Sequence, residues 1–315
     1  MSRCLYCYQP LDAASDYHPA CSRRLFGKPT PPAFPYSEAQ LLALAEQIVR
    51  SHITVTGVQP KLSLTLAATG DAGQPTRFTI VGALGAYILK PPTPLYPSLP
   101  EVEDLTMHLA ALAGPATVPH GLLRLEGGTL AYVTRRIDRH QGQKLAMEDM
   151  CQLTERLTEN KYDGSHEQVA KAILRYSANP GLDVVNYYEL VLFSFLTGNA
   201  DMHLKNFSLL HTPGLGYGLA PAYDLVATVL VNPADTEELA LTLNGRKKKL
   251  KSADFQQAAQ RAGVTEKVLA GLFTKFTRVK PTWHRFIDNS FLPPELRQGY
   301  HALLDQRFAQ LGLKQ

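Results

Sequence analysis

The sequence predicts an α+β protein: a sheet-rich first half, a helical second half, and two lobes with a cleft between them. Three observations predict it. Between residues 52 and 140, apolar residues alternate with polar ones in short runs broken by Gly and Pro, the pattern of half-buried strands. From Met147 onward EDMCQLTERL, HEQVAKAILRYS and VNYYELVLFSFLTG repeat with the helical period. The chain has 315 residues, 45% of them apolar and 19% charged, ample material for one large domain or two lobes.

The first element is a cysteine segment. Cys4 and Cys7 form C-x2-C; ten residues later come His18 and, after two more, Cys21. Thiolate and imidazole at such spacings suit tetrahedral zinc, although histidine stands where a second C-x2-C would have cysteine. A reduced cysteine hairpin without metal is the other reading. Gly27 to Ser37 carries four prolines and reads as a linker. Glu38 to Ser51 places Leu41, Leu42, Leu44, Ala45, Ile48 and Val49 on one helical face, with Ser37 as its N-cap.

SHITVTGVQPKLSLTLA alternates on both sides of a turn at Gly57, and RFTIVGALGAYILKPP reads as two strands joined by glycines. Pro100 to Ala113 is an amphipathic helix. LLRLEGGTLAYVTRRIDR is a strand, a Gly-Gly turn and a second strand. Helices then follow, interrupted by one hairpin, LALTLNGRKKKLK, at the Asn244-Gly245 turn. Cys151 falls in a helix and reads as core. The expected division is 1–36, cysteine segment and linker; 37–140, sheet-rich lobe; 141–315, helical lobe.

A net charge of +4 permits acidic partners without requiring nucleic acid. The basic run Arg246 to Lys251 fits a solvated face better than a DNA contact. No apolar run approaches the ~20 residues of a membrane span, and the N-terminus lacks a secretory apolar region. The expected location is the cytoplasm, with no membrane partner.

The chemistry gathers in FLTGNADMHLKNFSLL, Phe195 to Leu210, where Asn199, Asp201, His203, Lys205 and Asn206 crowd between apolar segments. Asp201 and Asn206 stand as D-x4-N, the spacing of a phosphoryl-transfer catalytic loop, in which the Asp orients the substrate hydroxyl and the Asn binds magnesium. A second carboxylate is expected downstream to hold the metal, and Asp224, in LAPAYDLVAT, is placed for it. Upstream, Gly57 marks a phosphate-covering loop, far weaker than a glycine-rich motif. Lys90, ending the strand YILK, can neutralise phosphates, with Glu103 favoured over Glu101 as its ion-pair partner. Each feature has a plainer reading, as turn residue, helix cap or solvated strand end; their common order gives them weight.

In TGVQPKLSL, YILKPP, RRIDR, EDMCQL, GNADMHLKNFSLL and AYDLVAT the chain resembles the HipA-like family of bacterial toxin–antitoxin serine/threonine kinases, and most closely its short HipT subgroup. The resemblance implies a protein-kinase-like fold, with Asp201 catalytic, Asn206 and Asp224 as magnesium ligands, and Lys90 on the ATP phosphates. It places Val55, Thr56, Gly57, Val58, Gln59 and Lys61 in the phosphate loop, and His203 and Lys205 near the γ-phosphate, with Tyr223 beside them. Arg135, Arg136, Ile137 and Asp138 match the linker that holds adenine by backbone groups, with Arg135 standing where the family has a glutamate. Thr54 and Thr56 match autophosphorylation positions, with threonine in place of the more usual serine.

The resemblance further implies an ATP- and Mg²⁺-dependent toxin that phosphorylates an aminoacyl-tRNA synthetase, first the tryptophanyl and alternatively the glutamyl enzyme. Its implied partners are a HipS-like small subunit and a HipB-like antitoxin, with DNA reached only through the antitoxin. A small-molecule kinase and an inactive kinase-like binding module are the rival expectations.

Overall fold

The computed structural model describes residues 2–11, 15–51, 59–67, 76–81, 85–140 and 143–313, with the side chains of 45–51 set aside. The chain divides into two compact units. One comprises Met1–Asp104, Val118–Ile137 and Asn289–Leu292; the other comprises Leu105–Thr117, Asp138–Asp288 and Pro293–Gln315. The cysteine segment, expected to stand apart, falls in the first unit with the sheet.

In the first unit β1 (Ser2–Arg3) pairs antiparallel with β2 (Pro10–Leu11), and α1 (Pro19–Phe26) follows. Pro19 starts α1, and Gly27, at φ 79, ends it by donating its N–H to Arg23. α2 (Glu38–Ser51) opens on a capping box: Ser37 N–H donates to Gln40 Oε1 at 2.8 Å, and Gln40 N–H to Ser37 Oγ at 3.3 Å. The strands β3 (Leu62–Ala67), β4 (Arg77–Val81) and β5 (Tyr87–Lys90) precede α3 (Leu99–Ala113), and β6 (His120–Arg124) and β7 (Leu130–Arg135) follow it.

These five longer strands form one antiparallel sheet in the order β4-β3-β5-β7-β6. Leu62 and Leu64 of β3 are buried while Ser63 and Thr65 are less so, the alternation that fixes register. The Gly127-Gly128 turn has φ 102 and 95, open only to glycine at little cost. β4 and β5, consecutive in the chain, lie on either side of β3.

The second unit begins with β8 (Arg139–His140) paired to β9 (Gln143–Lys144), then β10 (Met147–Asp149) and α4 (Met150–Leu153). α5 (His166–Tyr176) and α6 (Pro180–Thr197) lead to β11 (Ser208–Thr212) and β12 (Gly216–Leu219). α7 (Thr228–Val231), α8 (Ser252–Arg261), α9 (Glu266–Asp288) and α10 (Pro294–Gln310) complete it. α6 is its axis: Tyr187 to Thr197 is buried on every side, as an all-round apolar helix must be. Phe193 meets Trp283 edge-on at 5.6 Å, and Phe195 meets Phe255 at 5.3 Å. Each such ring contributes about 1.5–3 kcal/mol by leaving water.

Three expectations are corrected. EDMCQLTERL is helical for one turn only, since Glu155 turns to φ 54 and Arg156 N–H reaches back to Cys151 O; Cys151 is buried. The Asn244-Gly245 turn forms, with φ 50 and 76, but no two-stranded hairpin flanks it. The preceding backbone bonds elsewhere: Thr242 N–H donates to Gly164 O, and Thr242 O accepts from His166 N–H. A three-stranded sheet, β10-β11-β12, lies in the half expected to be helical apart from one hairpin. Among the described residues no helix is long and apolar enough to cross a membrane.

Candidate active site

The loop after α6 is shaped by its own backbone. Gly198 sits at φ 69 and ends the helix. Asn199 is fully buried, and its Oδ1 accepts the N–H of Asp201 at 3.3 Å. Ala200 N–H donates to Thr228 Oγ1 at 2.9 Å. Asn206 is buried, and its Nδ2 donates across the loop to the carbonyl of Asp201 at 2.9 Å. Met202 and Leu204 fill the interior between them. Asp201 is itself exposed, with one carboxylate oxygen accepting the Tyr162 hydroxyl at 2.6 Å. The structure thus brings Asp201 and Asn206 together in one closed turn, with the aspartate outward and the asparagine inward.

His203 is buried, its ring edge-on to Tyr162 at 5.0 Å. Lys205, expected near a phosphate, places its Nζ 3.3 Å from Asp149 Oδ2 and 3.4 Å from Thr158 Oγ1. Tyr223 ties the Asp224 segment to this loop: its hydroxyl donates to Lys205 O at 3.1 Å and meets the Ser208 hydroxyl. It therefore acts as a strut, and burial raises its phenol above the ordinary range. Asp224 holds φ 58. A non-glycine residue there is strained, and such strain gathers where side chains must be aimed. Asn206 spends its amide nitrogen on the loop, which leaves the amide oxygen for a cation. With the carboxylate of Asp224 this is an all-oxygen donor set, suited to a hard cation such as Mg²⁺.

In the first unit Lys90 ends β5, opposite Tyr132 of β7. Its Nζ is 2.6 Å from Glu103 Oε1 and 5.4 Å from the centre of the Tyr132 ring. Both charges are buried, Lys90 at 4% exposure and Glu103 at 0%. Burial raises the Glu103 carboxyl, while Lys90 and then Lys61 pull it back. Of the two carboxylates weighed for this pair, Glu103 meets the lysine. Glu101 is pushed up to about 7, chiefly by burial.

Gln59 Nε2 donates to Pro91 O at 3.0 Å, and Lys61 is exposed. Thr54, Val55, Thr56, Gly57 and Val58 lie outside the described residues. In the segment expected to hold adenine, Arg135 N–H bonds Pro119 O and Arg136 N–H bonds Ala86 O. Ile137 is half-buried. Asp138 is buried against Arg139 at 2.6 Å, and its carbonyl accepts from Leu145 N–H. Sequence reasoning missed Tyr162 and Asp149. They lie 39 and 56 residues from their partners Asp201 and Lys205, and nothing in ENKYDG or MED marks either.

The HipA-like C-terminal domain family matches residues 53–283. The chain belongs to that family. It is 26% identical over 290 residues to a Haemophilus influenzae protein named "Putative kinase", covering 83% of this chain and 82% of that one. It is 31% identical over 224 residues to the Sinorhizobium fredii protein "Putative kinase Y4mE", covering 67% of this chain but only about half (51%) of that one. The HipA of Shewanella oneidensis MR-1, solved in a toxin–antitoxin complex with HipB and operator DNA, superposes with TM-score 0.67 at 22% identity over 82% of this chain and 65% of its own. The Helicobacter pylori proinflammatory kinase CtkA follows with TM-score 0.54 at 17% identity, covering 71% of this chain and 87% of its own. At these identities the two structures speak to fold alone, and the fold is HipA-like.

Proposed function

We propose that this chain is a two-lobed serine/threonine protein kinase, dependent on ATP and Mg²⁺, and the toxin of a HipT-type toxin–antitoxin system. The observation that carries the reading is the turn from Asp201 to Asn206, which presents an exposed carboxylate beside an asparagine locked by its own amide. ATP supplies the transferable phosphoryl group and Mg²⁺ offsets its charge. Asp201 receives the proton of the attacking hydroxyl, and Tyr162 holds that carboxylate in place. Asn206 and Asp224 are the residues to hold the cation. Lys90, fixed by Glu103, presents a positive charge that does not have to be oriented at the moment of transfer. Catalysis is then positioning and electrostatics, as phosphoryl transfer requires.

The substrate class in this reading is an aminoacyl-tRNA synthetase, the tryptophanyl enzyme first, acted on in the cytoplasm. Thr54 and Thr56 are the proposed autophosphorylation sites; a phosphate there adds up to about two negative charges beside the nucleotide phosphates. A HipS-like subunit and a HipB-like DNA-binding antitoxin are the proposed partners, and the HipB-bound Shewanella neighbour supports the latter. Intact-mass spectrometry after incubation with Mg-ATP tests the reading. Wild type should gain phosphate at Thr54 or Thr56 and, in a separate transfer from ATP, phosphorylate a purified synthetase, and Asp201→Gln should do neither. Nucleotide binding without transfer, from a starting protein free of phosphate, would establish a binding module instead.

A further inference from the structure

The cysteine segment lies outside the catalytic reading, and its geometry is that of a metal site. Cys4 and Cys7 stand on a tight knuckle: Tyr8 N–H donates to Cys4 O at 2.9 Å, and Cys4 N–H to Gln9 O at 2.9 Å. Tyr8 takes φ 64 to close it, and the short β1–β2 ladder clamps its ends. His18 precedes α1, and Cys21 lies in the first turn of that helix. The knuckle and the helix start bring all four side chains to one point, with their ligand atoms within 4.8 Å of one another.

Two details separate this cluster from a chance gathering of cysteines. The first is spacing. A tetrahedron with the usual Zn–S and Zn–N lengths has edges of about 3.6 Å between nitrogen and sulfur. His18 Nδ1 lies 3.4 Å from Cys7 Sγ and 4.0 Å from Cys21 Sγ, values that bracket it. The second is the other ring nitrogen. His18 Nε2 is 3.0 Å from the carbonyl oxygen of Pro10. A carbonyl can only accept, so Nε2 carries the proton. Nδ1 is then the ring nitrogen turned toward the sulfurs of Cys7 and Cys21. A carbonyl that sets tautomer and ring orientation is the outer-sphere partner a metal-bound histidine requires.

We propose that Cys4, Cys7, His18 and Cys21 bind one zinc ion in a closed Cys3His site. With four protein ligands no position is left for water, so the role is structural. On binding, the three thiols release their protons to solvent and each sulfur forms a bond to the metal; no electron is transferred. The site secures the first unit from its N-terminal end. Tyr8, next to Cys7, donates its hydroxyl to Asp104 Oδ2 at 2.7 Å, and Asp104 Oδ1 pairs with His120 Nδ1 at 2.7 Å. Asp104 adjoins Glu103 on α3. The zinc therefore steadies the turn of α3 that holds Lys90. Leu122 N–H, which donates to Leu5 O at 3.0 Å, and the Tyr17 hydroxyl on Leu122 O dock the same segment on β6.

The test uses the full chain, purified under reducing conditions without chelator. Elemental analysis should find one zinc per chain. Replacement by Co²⁺ should give thiolate-to-metal charge-transfer bands together with the intense visible bands of a tetrahedral ion. A strong chelator should lower the melting temperature, and zinc should restore it. Cys7→Ser should weaken Co²⁺ binding about tenfold or more, His18→Cys should retain the metal in a four-thiolate site, and Cys151→Ser should change nothing. The wild-type cobalt spectrum decides the matter even if Cys7→Ser fails to fold. Metal content far below one per chain after zinc loading, a weak octahedral cobalt spectrum, or a disulfide among Cys4, Cys7 and Cys21 in the freshly purified protein would overturn the assignment. None of these readouts depends on kinase activity.

Discussion

Replacing Lys90 by methionine strands a charge in a dry site, and the cost follows from the geometry. Glu103 is fully buried and has Lys90 at 2.6 Å. A buried pair broken by removal of one member costs roughly 3–5 kcal/mol, because the remaining charge must stay desolvated or take up a proton. Thermal denaturation without nucleotide, followed by circular dichroism, should show a fall in melting temperature on the order of 10 °C. The loss should depend on pH. Burial raises the folded-state carboxyl of Glu103 above its ordinary 4.5, so any stability gained by protonation is complete below that value and is lost as pH rises through the folded-state value. Removing Lys90 raises the latter further, so the penalty should be small near pH 4 and full near pH 8. Adding Glu103→Leu to Lys90→Met removes the stranded charge and should recover most of the loss. A loss below about 1 kcal/mol, the same loss at both pH values, or a double variant no better than the single would refute the claim that this pair shares a water-free site.

Three further outcomes follow from the second unit. Tyr162→Phe removes the hydroxyl bonded to Asp201 at 2.6 Å; steady-state kinetics should show turnover lower by about tenfold, the worth of one hydrogen bond to a charged group, with KM for nucleotide unchanged. His166 is buried, and burial alone lowers its imidazole to about 3 from 6.5; its contribution is present above pH 6.5 and lost as pH falls toward 3, at roughly 1.4 kcal/mol per pH unit. His166→Gln should flatten that part of the acid limb in urea titrations. Gly198→Ala places a Cβ 2.6 Å from Leu303 Cδ2 at φ 69; melting curves should register a loss of about 1–3 kcal/mol, with phosphoryl transfer reduced beyond what unfolding explains because the loop starts there.

The features legible in the sequence are those whose partners are near in the chain or ordered along it. Asn206 bonds the carbonyl of Asp201 five residues back, so D-x4-N is the trace of a local turn. Lys90 and Glu103 are 13 residues apart, one at a strand end and one in the next helix, and strand and helix each show their own period. The α2 capping box and the Gly127-Gly128 turn are likewise local. Pairings settled at a distance left no mark. Tyr162 reaches Asp201 across 39 residues. β11 and β12 carry no clear strand signal because their apolar pattern is diluted by glycine and histidine. At Asn244-Gly245 the turn chemistry was right, but its flanks paired with residues 164–166, which no local signal announces.

The basic run shows how placement decides between a binding patch and a solvated face. Taken from sequence, Arg246 to Lys251 is a block of cations beside a turn. In the fold, acids just upstream in the chain answer it: Lys247 Nζ lies 3.3 Å from Glu237 Oε2, and Glu238 accepts Leu250 N–H at 2.9 Å while pairing with Arg307 at 2.7 Å. Lys248 turns to the Thr236 hydroxyl, and Asp254 bonds Lys251 N–H and Asn244. A phosphate backbone would have to displace these contacts one by one. Each is weak where exposed, and Glu237 offsets one charge of the run. The exposed carboxylate of Asp201 stands in the opposite situation. Asn199 accepts its N–H and Asn206 bonds its carbonyl, and what the turn holds out toward solvent is an acceptor, as a group that must take a proton from an incoming hydroxyl should be.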